Sequence, residues 1–175
     1  MSMKNLIYFF EFLIIIVLFT IFRIIGYKAA SNLGFLIGKT FGPIFRSKKT
    51  IIKNIKTFKS SINDQELDEI ISNMWGNYGR ILAEYPFIPS FRKKKLENFL
   101  DIEGVENLKR IKDNKKPCVF ISGHFNNFEL MAMLIEREGI DLSAVYRPLN
   151  NRFLNLIMEH LRKKYICKNQ IEKGL

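Results

Sequence analysis

The sequence is poor in the residues that build metal sites and disulfide frameworks. Its 175 residues include two cysteines, Cys118 and Cys167, and two histidines, His124 and His160. The cysteines form no CxxC pair, and a structural zinc site needs about four Cys or His ligands. We therefore expect no metal site. We also expect two buried or half-buried thiols and not the bridges of a secreted, disulfide-stapled fold.

Acidic residues are missing from a long N-terminal interval. None occurs between Glu11 and Asp64, although the whole chain has 17 of them and a formal net charge of +11. Such a charge favours anionic partners, which include nucleic acid, anionic lipid head groups and acidic carrier proteins. The basic residues of this interval are Arg23, Lys28, Lys39, Arg46, Lys48, Lys49, Lys53, Lys56 and Lys59.

One long apolar run precedes this basic interval. Only Glu11 and Arg23 interrupt the residues from Leu6 to Ile25, and about 20 apolar residues cross a bilayer core of about 30 Å. The run predicts a membrane anchor, with the basic flank and everything after it on the cytoplasmic side. The flank would also attract anionic membrane lipid. A cleaved signal peptide and a helix lying in the interface are alternatives. So is the solvated basic face of a soluble helix. A nucleic-acid footprint is less favoured because no recognition motif accompanies the charge.

Helical periodicity dominates the middle of the chain. Isoleucines and Phe58 within residues 50–62 fall near one helical face, with lysines opposite. Asn63 and Glu66 then have the spacing of a capping box, and apolar residues follow at steps of three and four until Pro86. We expect this stripe to form core. It comprises Leu67, Ile70, Ile71, Met74, Tyr78, Ile81, Leu82 and Tyr85.

The last third of the chain alternates strand and helix signals. The apolar runs Cys118–Ser122 and 142–146 predict strands, and the periodicity of residues 126–138 and 152–165 predicts helices. This order is typical of an α/β fold with a mainly parallel sheet, and we expect the two strands to be parallel neighbours. The expected domains are an anchor at 1–26, a basic helical region at 27–98 and an α/β core at 99–175.

A histidine and a carboxylate lie where the first predicted strand ends and a helix begins. In the segment GHFNNFEL, Glu129 follows His124 by five residues. A carboxylate bonded to one imidazole nitrogen fixes the tautomer and leaves the other nitrogen to take a proton from a hydroxyl. The chain has no GxSxG elbow and no partnered cysteine, so that hydroxyl would belong to a substrate. By itself this spacing is a weak signal, because a lone histidine at a strand end is more often a structural hydrogen-bonding residue.

Several blocks, in order along nearly the whole chain, resemble the lipid A biosynthesis acyltransferase family, part of the wider glycerolipid acyltransferase-like group with an H-x4-D/E motif. They are VFISGHFNNFELMA and AVYRPLNNRFLN, the earlier helical residues 74–80 and 83–86, the N-I-x-x-x-F stretch at 54–58 and the N-terminal apolar run. The resemblance implies an O-acyltransferase of lipopolysaccharide biosynthesis at the bacterial inner membrane, with its catalytic part facing the cytoplasm.

The same resemblance implies a reaction and roles. An acyl group held as a thioester on acyl carrier protein would move to a hydroxyl of a lipid A precursor or related glycolipid, without a further cofactor. His124 would be the general base and Glu129 its orienting partner. Arg147 would bind phosphate or developing negative charge, and Asn126 and Asn127 would donate hydrogen bonds at the helix N-terminus.

Simpler roles remain open for some of these residues. Arg147 could cap the strand end and Asn127 the helix. Arg80, a further candidate for substrate binding, could form an ordinary helical pair with Glu84.

The sequence also departs from the family pattern. Asn126 replaces a usual Gly and Phe128 a usual Trp. Family members are longer, so we expect a truncated reading frame or a fragment. The alternative function is therefore a catalytically inactive membrane-bound fragment that binds only lipid or carrier protein.

Overall fold

The fold is described from a computed structural model, which covers residues 2–174. Within that range the chain is mostly helical, and it has one small sheet. The α-helices are α1 (Met3–Ile25), α2 (Tyr27–Phe41), α3 (Lys48–Phe58), α4 (Asp64–Glu84), α5 (Ile88–Arg92), α6 (Val105–Asn114), α7 (Glu129–Arg137) and α8 (Arg152–Leu161). The strands are β1 (Ser143–Tyr146) and β2 (Asn169–Glu172). A π-helical turn, Arg162–Ile166, follows α8.

The chain forms two compact units, which are described separately below. The first contains residues 1–17 and 87–175, and the second contains residues 18–86. The boundary between them falls inside α1 and again at Pro86. The domain limits at residues 26 and 98 that the sequence suggested stay predictions.

Helix α1 is the one described helix that is long and apolar enough to cross a membrane. Its 23 residues have a mean hydropathy of 2.4 in their most apolar stretch, most of which is not buried by the protein. Length and composition alone support this reading, and they match the anchor predicted from the apolar run.

In the second unit, local signals define α4 well. The side chain of Asn63 accepts a hydrogen bond of 2.8 Å from the backbone N–H of Glu66, which confirms the predicted N-cap. Helix α4 ends at Glu84, and Tyr85–Phe87 continues the chain as a short 3-10 helix. The α-helix therefore ends close to Pro86, as predicted. On its inner face Leu67 and Ile71 form a core cluster with Ile51 of α3.

Helices α2 and α4 pack against each other at unusually short range. Glycine recurs every four residues along α2 and at its C-cap, at Gly34, Gly38 and Gly42, and Gly79 of α4 lies opposite the first two. A Cβ atom added to Gly34 would lie 2.5 Å from the carbonyl oxygen of Gly79. The absence of side chains is therefore what lets the two backbones approach.

In the first unit, Asn151 joins α8 to the N-terminal half of α1. Its Oδ1 atom accepts hydrogen bonds from the backbone N–H groups of Phe153 and Leu154 and so caps α8. Its amide nitrogen donates to the carbonyl of Tyr8 at 2.8 Å and to Glu11 at 2.9 Å. The acidic residue inside the apolar run thus has a polar partner, which offsets the cost of placing it there.

The sheet differs from the sequence prediction. Strand β1 occurs as predicted, but its parallel partner is β2, with Ser143 opposite Asn169. The predicted pairing with Cys118–Ser122 is wrong: that segment has no regular secondary structure, and Val119 and Ile121 are 86% and 93% exposed. A short apolar run shows that its residues favour burial, but it does not determine which strand becomes its neighbour.

A small α/β arrangement is nevertheless present, because two parallel strands are connected through a helix. The crossover between the two parallel strands runs through α8 and the π-helical turn, one helix later than predicted. The exposure of the segment before His124 also corrects the expectation for the thiols, since Cys118 is exposed and Cys167 is buried.

Candidate active site

A tight turn carries His124 into helix α7. His124 is exposed, and its ring packs edge-on against Phe128, with ring centroids 4.4 Å apart and an interplanar angle of 60°. Residues 126–128 form the turn, and the backbone N–H of Phe128 donates to the carbonyl of Asn126 at 3.1 Å. The histidine thus precedes the helix, as the sequence predicted, and solvent can reach its ring.

The backbone of Asn126 explains one departure from the family pattern. Asn126 has φ of +42°, in the left-handed region that most L-residues avoid. Glycine adopts this region freely, and asparagine is the side chain that tolerates it best. Asparagine can therefore replace the expected glycine here without a different turn. Asn126 and Asn127 both lie at the start of α7, and their contact with substrate stays a prediction.

Glu129 is the first residue of α7, and its side chain is buried. Its Oε1 atom accepts two hydrogen bonds from Arg162, at 2.8 Å from Nε and 2.6 Å from Nη2. A buried carboxylate is stable when it is paired and lies at a helix N-terminus. The structure therefore gives Glu129 a cationic partner. The direct bond between His124 and Glu129 stays a prediction.

Sequence reasoning missed Arg162. It follows Glu129 by 33 residues, and no local periodicity links positions so far apart. Its own neighbours suggested only a continuing helix, whereas the structure turns there into a π-helical segment. Pairings of this kind follow from the packing of α7 against that segment, which the sequence pattern does not encode.

Cys167 connects the π-helical turn to the start of the sheet. Its thiol donates to the carbonyl of Leu142 at 2.9 Å, just before β1, and burial raises the pKa of this thiol. The Cys167 backbone N–H bonds the carbonyl of Arg162 at 2.9 Å. The backbone that carries Arg162 is thereby fixed to the sheet.

Arg147 directly follows β1 and is exposed. The phenol of the preceding residue, Tyr146, donates a hydrogen bond to the carboxylate of Glu159 in α8. Partial burial and the charge of Glu159 raise the pKa of Tyr146. Glu159 also accepts a hydrogen bond of 2.6 Å from Lys163. The strand end is thus tied to α8, while the Arg147 side chain stays on the surface, where an anion could reach it.

Arg80 belongs to a polar network inside the second unit. Its guanidinium donates to Ser31 at 2.9 Å and to Asn32 at 3.2 Å, and it stacks over the ring of Phe35 at 4.6 Å. Ser31 in turn donates to the buried Glu84 at 2.7 Å. These contacts give Arg80 a role in joining α2 to α4, and its predicted contact with substrate stays a prediction.

The same network includes Tyr27. Burial, reinforced by the nearby Glu84 carboxylate, raises the pKa of Tyr27 to about 12. A phenol that keeps its proton can donate a hydrogen bond to a carboxylate across the whole physiological range.

An open cavity of about 910 Å³ lies in the first unit beside α7. Apolar side chains of α7 and β1 line it, and so do lysines of α6 and of the following turn. Among residues 2–174 no group of three or more His, Cys, Asp or Glu side chains could bind a metal ion.

Comparison with known proteins decides the family. The family model for bacterial lipid A biosynthesis acyltransferases matches residues 1–168. The chain belongs to this family. No solved structure matches it, so a glycerolipid acyltransferase-like fold stays a prediction.

Curated relatives point the same way. The lipid A biosynthesis palmitoleoyltransferase of Escherichia coli (strain K12) and a lipid A biosynthesis acyltransferase of Shigella flexneri are each 23% identical to it over 141 residues. Each alignment covers 79% of this chain and 45% of the relative. A second Shigella flexneri protein, lipid A biosynthesis acyltransferase 2, is 20% identical over 130 residues. The chain therefore spans about half the length of the curated relatives that it matches.

Proposed function

We propose that this protein is an O-acyltransferase that moves a fatty acyl chain from acyl carrier protein to a hydroxyl of a lipid A precursor or related glycolipid. The observation that carries the proposal is the placement of an accessible His124 one turn before the buried, ion-paired Glu129. Membership of the family supplies the substrate class. The chain spans about half the length of the curated relatives that it matches, so the activity of the whole protein is part of this proposal.

The reaction needs one proton acceptor and one site for negative charge. His124 takes the proton from the acceptor hydroxyl as its oxygen attacks the thioester carbonyl. The C–O bond forms, the carbonyl oxygen becomes negative, and the C–S bond then breaks. The carrier-protein thiolate leaves and receives the proton from His124. Glu129 stabilises the intervening imidazolium, and Arg147 with Asn126 and Asn127 offers donors for the oxyanion or for an acceptor phosphate.

The same proposal places the protein at the inner membrane, with its catalytic unit facing the cytoplasm. Helix α1 supplies the anchor, and the lysines of α3, which follows α2 in the sequence, are exposed. Each lysine near an anionic membrane surface contributes about 1 kcal/mol to the free energy of membrane binding. Anionic membrane lipid and acyl carrier protein are thus the expected partners of the basic surface, and nucleic acid is not. The open cavity beside α7 offers apolar wall for an acyl chain.

The decisive test is an acyltransferase assay with carrier-protein thioesters of several chain lengths and a lipid A precursor. We expect His124→Ala to lower turnover by about 10²–10⁴-fold, the usual contribution of general-base catalysis. Glu129→Gln should lower it less, because the amide keeps a hydrogen-bond partner for the ring but removes the charge. His160→Ala is the matched control, since His160 is exposed on α8. If His124→Ala retained as much turnover as His160→Ala, the mechanism would be wrong.

The alternative is a membrane-bound chain that binds lipid or carrier protein without turnover. It predicts normal retention on anionic vesicles and no acyl transfer for any thioester offered. Salt-sensitive binding to DNA in the absence of vesicle binding would reject both readings and would favour a nucleic-acid partner.

A further inference from the structure

A short 3-10 turn between α2 and α3, Gly42–Phe45, carries large apolar side chains on the surface of the second unit. Ile44 is 78% exposed and Phe45 is 81% exposed. Phe41, just before the turn, is exposed as well. Single exposed apolar side chains are common, but a cluster of them marks a surface that contacts another molecule or a membrane. The turn therefore has the character of a binding surface.

The start of this turn is held against α4. Gly42 is buried, and a Cβ atom added to it would lie 2.5 Å from ring atoms of Trp75. The turn packs against both α2 and α4, and the ring of Pro43 fixes its own φ angle. Folding Ile44 and Phe45 inward would break the contact with Trp75. Their exposure is therefore a property of the packed second unit.

Exposed cations follow the turn directly along the chain. Two lysines of α3 and its C-terminal end pair with carboxylates of α4, Lys48 with Asp68 and Lys59 with Glu66. The other cations of this stretch are also exposed, and no carboxylate among residues 2–174 forms an ion pair with them. This basic set comprises Arg46, Lys49, Lys53 and Lys56.

The combination of apolar and basic side chains fits the interface of an anionic bilayer. Hydrocarbon there takes up apolar side chains, and lipid phosphates attract the cations next to them. Helix α2 has 15 residues and is about 22 Å long, so the turn stays within that reach of the end of α1. The end of α1 is itself apolar and exposed at Ile24 and Ile25. A chain anchored by α1 therefore keeps the turn at a high local concentration near the bilayer.

We infer that the turn Gly42–Phe45 is a second membrane contact of this protein. It inserts Ile44 and Phe45 into the interface of an anionic bilayer, while the basic set binds lipid phosphates. This inference rests on the membrane anchoring that the proposed function assigns to α1, and it adds a separate contact in the second unit. Two points of contact restrict rotation of this unit about α1, which a single helix does not.

A spin label on the full chain tests this contact without any need for turnover. The background variant is Cys118→Ser, since Cys118 is exposed and Cys167 is buried, and the labelled cysteine is introduced by Ile44→Cys. Ile70→Cys is the matched control, because Ile70 is an exposed apolar residue of α4 beside the acidic Glu69. Flotation with vesicles first shows whether the anchor holds each variant. The accessibility of the label to oxygen and to a water-soluble nickel chelate then gives its depth.

The expected depth depends on position and on lipid charge. In vesicles that contain phosphatidylglycerol, we expect the label at position 44 to lie about 5–10 Å below the phosphates, the depth of an interfacial apolar face. Oxygen should reach this label and the nickel chelate should not, whereas the label at position 70 should stay accessible to nickel. In pure phosphatidylcholine the label at position 44 should move toward the water. Substitution of all four residues of the basic set by glutamine should have the same effect, because it removes the attraction to lipid phosphates.

Several outcomes would overturn the inference. Nickel access at position 44 in the anionic vesicles is one, and an equal depth of the label in both lipids is another. Protection from nickel without oxygen access would mean that protein, such as a second copy of this chain, covers the turn. A chain that floats with vesicles but gives any of these results rejects this inference alone, whereas a chain that does not float also rejects the proposed anchor. Absence of acyl transfer rejects only the proposed reaction and leaves the membrane contact in place.

Discussion

The amide of Asn151 donates a hydrogen bond of 2.9 Å to the carboxylate of Glu11, 140 residues earlier in the chain. Phe153, two residues later, packs against the rings of Phe9 and Phe12. The apolar N-terminal helix therefore also has a packing role, beside the membrane anchoring proposed for it. Its first half is part of the packing of the unit that contains His124 and Glu129.

This contact makes a prediction about Asn151. Asn151→Asp keeps the acceptor that caps α8 but places a second carboxylate beside Glu11. We expect a loss of about 2–4 kcal/mol, because a hydrogen bond to a charged group is replaced by repulsion. Adding Glu11→Gln should restore much of this loss, since the new amide can donate a hydrogen bond to the new carboxylate. Thermal unfolding in detergent measures both changes. No recovery in the double variant would show that the two side chains do not interact.

Deletion of the N-terminal helix tests whether the contacts of Asn151 and Phe153 with α1 stabilise the first unit. We expect deletion of residues 1–26 to detach the protein from membranes. The deletion should also expose Phe153 and leave Asn151 without its partners on α1. The released protein should therefore aggregate or become sensitive to proteolysis. Size-exclusion chromatography and limited proteolysis measure these outcomes. A monomeric, protease-resistant product would mean that α1 is an anchor alone.

The close glycine contacts between α2 and α4 predict that one added methyl group will strongly lower the stability of the second unit. A Cβ at Gly38 or Gly79 would overlap backbone atoms of the facing helix, which cannot rotate away. We expect Gly79→Ala to destabilise the second unit by about 1–3 kcal/mol, the usual cost of overpacking. Ala29→Leu, at an exposed position of α2, is the control and should change stability little. Chemical denaturation followed by Trp75 fluorescence reports on this unit.

The left-handed backbone of Asn126 predicts an asymmetric response to substitution. Asn126→Gly should leave stability nearly unchanged, because glycine adopts φ of +42° without strain, so any loss of turnover in this variant reports the proposed side-chain contact. Asn126→Val should cost about 1–2 kcal/mol and displace His124, because a β-branched residue resists this conformation. Melting temperature and turnover, measured together, check this. If the glycine variant lost as much turnover as the valine variant, the Asn126 side chain would contact substrate directly.

The raised pKa of Tyr27 predicts a loss of stability in alkali. Its pKa is about 12 in the folded protein and about 10 in an unfolded chain. Stability is thus fully present below pH 10 and declines as pH rises from about 10 to about 12, by about 1–2 kcal/mol after allowance for partial exposure. Tyr27→Phe should remove this pH dependence, and Tyr78→Phe should not. Denaturation midpoints at several alkaline pH values provide the measurement.

Local sequence signals determined the elements whose stabilising contacts lie close along the chain. Asn63 and Glu66 fixed the start of α4, and Pro86 its end, because capping and proline geometry act within one turn. The apolar run at residues 6–25 determined α1 by length alone. The blocks around His124 and Arg147 determined the family. Each of these features needs no knowledge of a distant residue.

Only the tertiary structure decided which distant residues meet. Glu129 pairs with Arg162, Glu11 pairs with Asn151, and β1 takes its partner from residues 169–172 and not from Cys118–Ser122. A carboxylate in a sequence shows that it needs a donor, and an apolar run shows that it favours burial. Neither identifies its partner, because long-range contacts depend on the packing of whole helices and strands, which no local pattern encodes.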